Sequence, residues 1–392
     1  MESLSKNLEA HLYKICLYPS RHVGSPGAAA TADYIERTFR GYGYTDVTRE
    51  PFPATGWRFG SMLFCDLDNG CTDVPGAVPC FFSRSADVTD VPLWLSGPEL
   101  KGLEKQPVKG RLCVVEFFSD PADIRGRNDI AEDLDRMGAA AAVFISDPAY
   151  HTPRAASTKI QSSPRLKNLG TAAVAEEGAY YLARNRGHRF RFFMDADTFP
   201  HTSHNVAAVR PGTGRKRAVF GAHFDAAPLT QGAKDDASGT ACLLEMARLL
   251  KNEFPEWTLE FAAFDGEEYT LDYLPMGSGA YTAAHRDRKW EFYMNFDSIG
   301  TACSDTVLHI GRKEKLPDFS SIYPFRPIKK GGDDRSFDEL GVPTLWFFSI
   351  PRFPDFHTPL DRIDTLDISK MAQCVGDAVN VARQLCRSER KR

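Results

Sequence analysis

The pattern of apolar and polar positions divides the chain into three parts: a helical N-terminus, a turn-rich region, and a region of alternating strands and helices. In residues 2–17 and 28–40, apolar side chains recur every three or four residues, which predicts two amphipathic helices. A region from about Pro51 to Phe199 is rich in turn residues and has few helical patterns. After it, strand and helix patterns alternate to the end of the chain. This alternation predicts the α/β class, with a mostly parallel or mixed central sheet flanked by helices.

The turn-rich region predicts a separate, β-rich domain. We expect it to span residues 56–199, inserted between residues 1–55 and 200–392, which together form the α/β domain. Its strand and helix patterns lie at 108–118, 128–146, 169–185 and 189–197. The order of a strand after KGR, the stretch MGAAAAVFIS and then EEGAYYLARN resembles a protease-associated domain. That resemblance implies a lid or substrate-access role and no chemistry of its own.

The stretch 221–239, GAHFDAAPLTQGAKDDASG, joins a buried strand predicted over 217–222 to a predicted helix. It carries four candidate site residues: His223, Asp225, Asp235 and Asp236. In open α/β sheets, ligands bind at the carboxyl ends of strands. We therefore interpret a histidine and acidic groups at this place as metal ligands. The alternative is a hydrated polar loop.

Acidic groups and a histidine also follow the later predicted strands. They are Glu267, Glu268, Asp297 and, in a loop, His357. Each alone is explained by a solvated turn, a helix cap or a surface position. Together with the groups of the first stretch they supply imidazoles and carboxylates, which zinc accepts, and carboxylates are able to bridge two ions. Two ions that share one carboxylate need roughly five ligands and a free base for the water, and the set matches that requirement.

These motifs resemble the M28 family of zinc peptidases, the dizinc aminopeptidase group. The resemblance covers residues 1–50 weakly and residues 203–386 well. It rests on AHFD, GAKDDASG, FDGEE followed by GS, NFDSIG and FHTPLD, in this order. The implied activity is that of a metallo-exopeptidase, which hydrolyses N-terminal residues from peptides with a metal-activated water.

The resemblance also implies a ligand set. One zinc ion would be held by His223, Asp235 and Asp297. A second would be held by Asp235, Glu268 and His357, so that Asp235 bridges the two. Cobalt or manganese would accept similar ligands.

Other roles implied by the resemblance belong to residues outside the ligand set. Glu267 is the implied general base. Asp225 lies two residues beyond His223 on an extended segment, so both side chains point to one face and Asp225 orients the ligand. Asp236 supports the site from the position after Asp235, and a cis peptide bond is implied between these two residues.

Three stretches depart from the usual pattern of the family. Residues 269–276, YTLDYLPM, replace a shorter link and would remodel one rim of the pocket. Residues 332–337, GDDRSF, stand where the family commonly has S-D-H-x-x-F. Lys329 and Lys330 stand where some members place a tyrosine. A lysine there would polarise the scissile carbonyl by its charge, and the alternative is a solvated pair of lysines.

Three other functions stay open at this point. A glutaminyl cyclase resembles the chain in FDGEE and in residues 351–367, but such cyclases bind one zinc and typically carry Ser after the bridging Asp. A carboxypeptidase of the same fold is the second, because the pocket for the substrate side chain is not visible in the sequence. A non-catalytic receptor or scaffold is the third, and the complete set of ligands and base argues against it.

Composition narrows the partners and the compartment. The chain has 392 residues, 42% of them hydrophobic and 26% charged, as is ordinary for a soluble globular protein. A net charge of −4 gives no electrostatic reason to expect nucleic acid or an anionic membrane as a partner. No window holds the roughly 18 apolar residues that a membrane span needs, and no signal-peptide pattern is evident. We expect a peptide substrate and a cytoplasmic location, with the oligomeric state open.

The chain contains nine cysteines and no C-x-x-C motif. We interpret them as free thiols in a reducing compartment. Cys65, Cys71 and Cys80 lie close in sequence, and the alternative for them is a disulfide or a metal group.

Overall fold

The structure, a computed structural model, describes residues 2–18, 20–116, 126–145, 163–271, 274–316, 325–327, 332–349 and 356–387. Its internal contacts divide the chain into two compact units. The first, called the α/β unit below, is Met1–Ala54, His201–Arg352 and Asp361–Arg392. The second, called the inserted unit, is Thr55–Pro200 and Phe353–Leu360. The assignment of the inserted unit as a protease-associated domain stays a prediction.

The helices, in chain order, are α1 (Glu2–Cys16), α2 (Pro26–Gly41), α3 (Gly97–Lys101), α4 (Arg127–Arg136), α5 (Glu176–Arg184), α6 (Gly239–Leu250), α7 (Met276–Ala284), α8 (Asp334–Asp338) and α9 (Ile368–Arg387). The two N-terminal helices predicted from the periodicity are confirmed as α1 and α2. None of the helices that the structure describes has an apolar run long enough to cross a bilayer.

The strands, in chain order, are β1 (Asp46–Asp66), β2 (Thr72–Asp73), β3 (Val78–Pro79), β4 (Ala86–Asp90), β5 (Leu93–Leu95), β6 (Leu112–Val115), β7 (Ala141–Ile145), β8 (Gly170–Val174), β9 (Phe190–Arg210), β10 (Lys216–His223), β11 (Trp257–Phe264), β12 (Thr270–Leu271), β13 (Leu274–Pro275), β14 (Phe292–Asp297), β15 (Thr306–Gly311), β16 (Phe325–Pro327) and β17 (Thr344–Ser349).

A mixed sheet forms the centre of the α/β unit. Its strand order is β16-β15-β17-β14-β10-β11-β9-β1-β2, with β4 paired to β9. The four strands β17, β14, β10 and β11 are mutually parallel, whereas β9 and β15 flank them in antiparallel pairing. The strands at the centre are buried on both faces and therefore carry almost continuous apolar runs. The predicted α/β class with a mostly parallel or mixed sheet is confirmed.

Two strands are longer than the sequence pattern predicts. β1 and β9 each span 21 residues, and the strand predicted over 189–197 is only the first part of β9. Residues 206–210 of β9 pair with β11, whereas residues 190–194 pair with β4. The boundary predicted at residue 199 thus falls inside a continuous strand. The turn-rich pattern ends near residue 199, but the backbone continues in extended conformation through Pro200.

Helices α1, α2, α6 and α9 share one hydrophobic core with the central strands. The stripe predicted on the last helix is buried in full: Met371, Val375, Ala378, Ala382 and Leu385. On α6, Leu243 and Leu250 are completely buried. Full burial of one such side chain stabilises the fold by about 1.5–3 kcal/mol. This core therefore holds the carboxyl ends of the central strands in place.

The inserted unit has a second sheet, with the order β3-β8-β7-β6-β5. β5 to β8 are parallel neighbours, and β3 joins them in antiparallel pairing. Helices α4 and α5 alternate with these strands, as the patterns at 128–146 and 169–185 predict. The strand predicted over 108–118 is shorter in the structure, where β6 ends at Val115; residues 117–118 lie outside the described part of the chain.

The prediction that all cysteines are free thiols is wrong for one pair. Cys65 and Cys71 form a disulfide, whereas Cys80 is buried and free. Periodicity does not distinguish the two states, because pairing depends on the turn that brings the ends of β1 and β2 together. Disulfides persist mainly in oxidising compartments, so this pair weighs against a cytoplasmic location. The cytoplasmic location therefore stays an untested prediction.

A polar cluster inside the α/β unit is organised around Glu245 of α6, whose side chain is fully buried. Arg248 donates to its carboxylate at 2.7 Å, Asn7 at 3.3 Å and the Tyr42 hydroxyl at 3.3 Å. Nε2 of His11 lies 3.5 Å from it. Burial raises the pKa of Glu245, but the hydrogen bonds of His11 and Arg248 outweigh that effect and bring its pKa from 4.5 to about 2.

Because the folded pKa of Glu245 lies below the unfolded value, its contribution to stability is present above about pH 4.5 and is lost as the pH falls toward 2. We expect Glu245→Gln to lower the free energy of unfolding at neutral pH by roughly 2 kcal/mol and to flatten its decline in acid. Urea titrations over a series of pH values measure both effects. Glu2→Gln, at an exposed pair with Lys6, is the control and should change little. A loss that is the same at neutral and acid pH would contradict the assignment.

Candidate metal centre

Neighbouring parallel strands deliver the candidate residues to one edge of the sheet. β10 ends at His223 and β14 ends at Asp297, while Glu267 follows β11 after a short turn. β10 lies between β11 and β14 and pairs in register with both. Because these strands are parallel, their carboxyl ends meet at the same edge, and so do the side chains that follow them.

The first candidate ligand group consists of His223, Asp235 and Asp297. All three are buried, and one ligand atom of each lies within 4.8 Å of the others. Nε2 of His223 is 3.0 Å from Oδ1 of Asp235, yet it makes no hydrogen bond in the described structure. Bonds of about 2.0–2.2 Å to zinc place neighbouring ligand atoms about 3–4 Å apart. A buried imidazole nitrogen without a hydrogen bond, next to two carboxylates, fits one divalent ion.

Asp235 also belongs to a second candidate ligand group, with Glu268 and His357. The ligand atoms of this group again lie within 4.8 Å of one another. The backbone φ of His357 is 59°, a left-handed conformation that is uncommon for residues with a side chain and often marks a functional position. The structure thus brings together both residue sets that the resemblance implies, with Asp235 shared between them.

Asp225 contacts the backbone or side chains of three site residues. Its Oδ1 is 3.2 Å from Nδ1 of His223, which leaves Nε2 of that ring directed toward the first group. Oδ1 also accepts a hydrogen bond from the backbone N–H of Glu267, and Oδ2 accepts one from that of Glu268, both at 3.0 Å. Asp225 thus contacts the histidine ring and binds the backbone of the glutamate pair.

A wide turn, Ala233–Ser238, places Asp235 in front of α6. The peptide bond between Asp235 and Asp236 is cis, as the resemblance implies. Oδ1 of Asp236 accepts hydrogen bonds from the backbone N–H of Gly239 at 2.8 Å and of Ser298 at 3.0 Å. Asp236 therefore joins the start of α6 to the end of β14, and so holds two of the segments that carry the first group.

Arg21 holds the loop between β10 and the turn, and the sequence pattern did not indicate it. Its side chain is completely buried and donates to the carbonyl oxygens of Phe224, Gln231 and Gly232 at 2.9, 2.7 and 2.8 Å. These bonds fix both ends of the loop that separates the two parts of the AHFD…GAKDD stretch. No periodic signal precedes Arg21 in the sequence, so only the fold identifies it.

Asp361 is the second residue that sequence reasoning missed. It is buried, and its carboxylate accepts hydrogen bonds from the backbone N–H groups of Lys234 at 2.7 Å and Asp235 at 3.1 Å. Asp361 closes the FHTPLD motif, which was an available signal for a role. Its contacts define that role as support for the backbone of the shared carboxylate.

Glu267 belongs to neither ligand group. Its Oε2 is 4.0 Å from Nε2 of His223, and the residue is 8% exposed. The backbone hydrogen bond to Asp225 fixes its position. This carboxylate lies beside the candidate ligands but is not one of them. A general base that takes a proton from a metal-bound water needs such a position.

The electrostatics of the centre favour a bound cation. Burial and the Asp235 carboxylate raise the pKa of Asp297 well above its ordinary range, and burial raises that of Asp236. Burial lowers the pKa of His223, but the adjacent carboxylates of Asp225 and Asp235 raise it well above the usual value. Buried acids packed this closely repel one another, and a divalent ion is the group that compensates them.

The stretches that depart from the family pattern are described in part. Lys329 and Lys330 lie outside the described residues, so their predicted alternatives stay predictions. Residues 332–337 form a turn and most of α8. The hydroxyl of Ser336 on this helix lies 2.9 Å from that of Ser278 on α7.

Comparison with known proteins identifies a family and several similar proteins. Residues 205–381 match the model of Peptidase family M28. An aminopeptidase of Pseudomonas aeruginosa is 36% identical over 307 residues, which covers 72% of this chain and 54% of that protein. Aminopeptidase YwaD of Bacillus subtilis is 29% identical over 210 residues, which covers 46% of this chain and 44% of that protein. The chain thus spans about half the length of these curated relatives.

A solved structure has the same fold over nearly the whole chain. BSAP, a zinc aminopeptidase from Bacillus subtilis, superposes with a TM-score of 0.74 at 19% identity and covers 99% of this chain and 96% of that one. At this identity the likeness shows the fold alone. The family match covers the strand ends that carry His223, Glu267 and Asp297. Through residues 205–381, the chain belongs to Peptidase family M28.

Proposed function

We propose that the chain is a zinc-dependent aminopeptidase, a metalloprotease that removes N-terminal residues from peptides. The observation that carries the proposal is the pair of ligand groups that share Asp235, with Glu267 beside them and outside both. The proposal places His223, Asp235 and Asp297 on one zinc ion. Glu268 and His357 join Asp235 on a second.

The chemistry is hydrolysis of the first peptide bond. Bound zinc supplies Lewis-acid activation of water and of the peptide carbonyl. The carboxylate of Glu267 accepts the proton of the attacking water and then donates it to the leaving nitrogen. The C–N bond is replaced by a C–O bond, and the proton ends on the released amine. Asp225 keeps Glu267 in position through its backbone hydrogen bond.

The choice of aminopeptidase over the other functions rests on two supports. Relatives named as aminopeptidases match 72% and 46% of the chain. The buried acids at the strand ends favour a substrate with a cationic N-terminus. The cyclase pattern, with Ser after the bridging Asp, is not met, because Asp236 stands there.

We expect purified, zinc-loaded protein to hold two zinc ions per chain, measured by inductively coupled plasma mass spectrometry after gel filtration. Asp297→Ala and His357→Ala should each lose one ion, because each belongs to one ligand group only. Asp364→Ala, at an exposed position, is the control and should keep both. One tightly held ion in the wild type, with Asp297→Ala unchanged, would rule out the two-ion site.

Glu267→Gln should keep both metal ions and lose activity about 10²–10⁴-fold, because an amide does not accept and return the proton of water. Glu268→Gln removes a charged ligand and should lower both metal content and activity. Metal analysis and hydrolysis of L-leucine p-nitroanilide on the same samples measure the contrast. The opposite pattern, with metal lost in Glu267→Gln and kept in Glu268→Gln, would invert the assignment of the pair.

Arg21→Lys should weaken zinc binding by about 10- to 100-fold, because a lysine does not span three carbonyl oxygens and the loop that leads to Asp235 loses its support. Competition with a chromophoric chelator measures the affinity. Arg40→Lys, an exposed residue of α2 that pairs with Glu36, is the matched control. A lower melting temperature of the metal-free variant with unchanged zinc affinity would show that Arg21 serves stability alone.

A further inference from the structure

Asp334, the first residue of α8, carries a buried carboxylate that no group among the described residues satisfies, as does the neighbouring Asp333. The residue is 1% exposed, and neither of its carboxylate oxygens has a hydrogen-bond partner in the described structure. Leaving a buried acidic group without a partner costs more than leaving a neutral one. A side chain kept at this cost indicates a ligand that supplies the missing contacts.

The space that Gly332 leaves where another residue would carry a Cβ is called the hollow below. The glycine has a φ of +77°, and around the point where a Cβ would stand the nearest atoms are three carboxylate oxygens. Oδ2 of Asp297 is 3.5 Å from that point, and Oδ1 of Asp334 and Oε1 of Glu267 are each 3.6 Å from it. Three acids from three separate chain segments thus face one place, and residue 332 contributes no side chain to it.

The spacing of these oxygens suits an ammonium group better than a metal ion. Among the described residues, the groups compact enough for a metal are the two already given, and Asp334 belongs to neither. An ammonium nitrogen has three N–H donors and makes hydrogen bonds of about 2.7–2.9 Å to carboxylates, longer than metal–oxygen bonds of about 2.0–2.2 Å. A protonated amine therefore satisfies a wider ring of three acceptors.

We propose that Asp334 binds the protonated α-amine of the peptide substrate in the hollow beside Gly332, together with Asp297 and Glu267. The inference rests on the proposed aminopeptidase function and names the residue that selects a free N-terminus. The position is one at which the chain departs from its family, where the S-D-H-x-x-F pattern would place histidine. A carboxylate there adds an anionic acceptor that a histidine does not supply.

The test uses zinc-loaded protein and probes that are not hydrolysed. L-Leucinol carries the α-amine, 4-methylpentan-1-ol lacks it, and Nα-acetyl-L-lysinamide presents a side-chain amine instead. Calorimetry should show that Asp334→Asn weakens L-leucinol binding about tenfold or more and leaves 4-methylpentan-1-ol unchanged. In hydrolysis of L-leucine p-nitroanilide, KM should rise more than kcat falls.

Asp338→Asn, on the same helix but paired with Arg312, is the matched control and should bind like the wild type. The melting temperature of Asp334→Asn should not fall, because the substitution removes an unsatisfied charge and no contact; a purely structural carboxylate would lower it. Asp334→His, with the residue of the family pattern, provides a second variant and should lose L-leucinol binding to the same extent.

Unchanged L-leucinol affinity in both Asp334 variants would overturn the inference, as would an equal loss for 4-methylpentan-1-ol. If the Asp334 variants weaken only the binding of Nα-acetyl-L-lysinamide, the choice of the α-amine as the ligand is overturned. The proposed function is tested separately. If the wild type hydrolyses no substrate with a free N-terminus, that function fails, whereas an Asp334-dependent affinity for L-leucinol would still support the ammonium site.

Discussion

The concentration of buried negative charge at the carboxyl ends of β10, β11 and β14 is the constraint on which the rest of the structure depends. Asp235 and Asp297 lie within ligand distance of each other and of His223, and Glu267 stands beside them. Each buried ion carries a desolvation penalty of several kcal/mol unless a counter-charge compensates it. The helices packed on the sheet supply the apolar burial that holds such a site together without its metal, and bound metal then adds to that stability.

Charged side chains hold the loops of the site by binding backbone groups. Asp225 accepts from the N–H groups of the glutamate pair, Asp361 from that of Asp235, and Arg21 donates to loop carbonyls. These loops make few ladder hydrogen bonds, so their buried backbone groups need side-chain partners. Hydrogen bonds to charged groups contribute about 1.5–3 kcal/mol each. They fix the orientation of the candidate ligands, which is a condition for precise coordination of a metal.

The inserted unit is connected to the α/β unit through two long strands. β1 and β9 belong to the sheet of the α/β unit and continue, as single strands, into the inserted unit. The candidate ligands His223, Asp235, Glu268 and Asp297 belong to the α/β unit. The remodelled sequence between Glu268 and Gly277, and the exchange at Asp334, lie outside the central strands. Variation at such positions leaves the residues at the ends of the central strands unchanged.

The sequence by itself determined the α/β class, the core stripes of α1, α2 and α9, and the residue types of the candidate metal centre. These features depend on local periodicity and on short motifs at strand ends, and both are formed by residues that are close together in the sequence. Only the tertiary structure decided the role of Arg21, which binds a carbonyl 203 residues away, and that of Asp334, whose unsatisfied carboxylate faces the hollow beside Gly332. It also decided the length of β9 and the Cys65–Cys71 pair. Such features arise from contacts between distant segments, and no local pattern of apolar and polar residues encodes which segments meet.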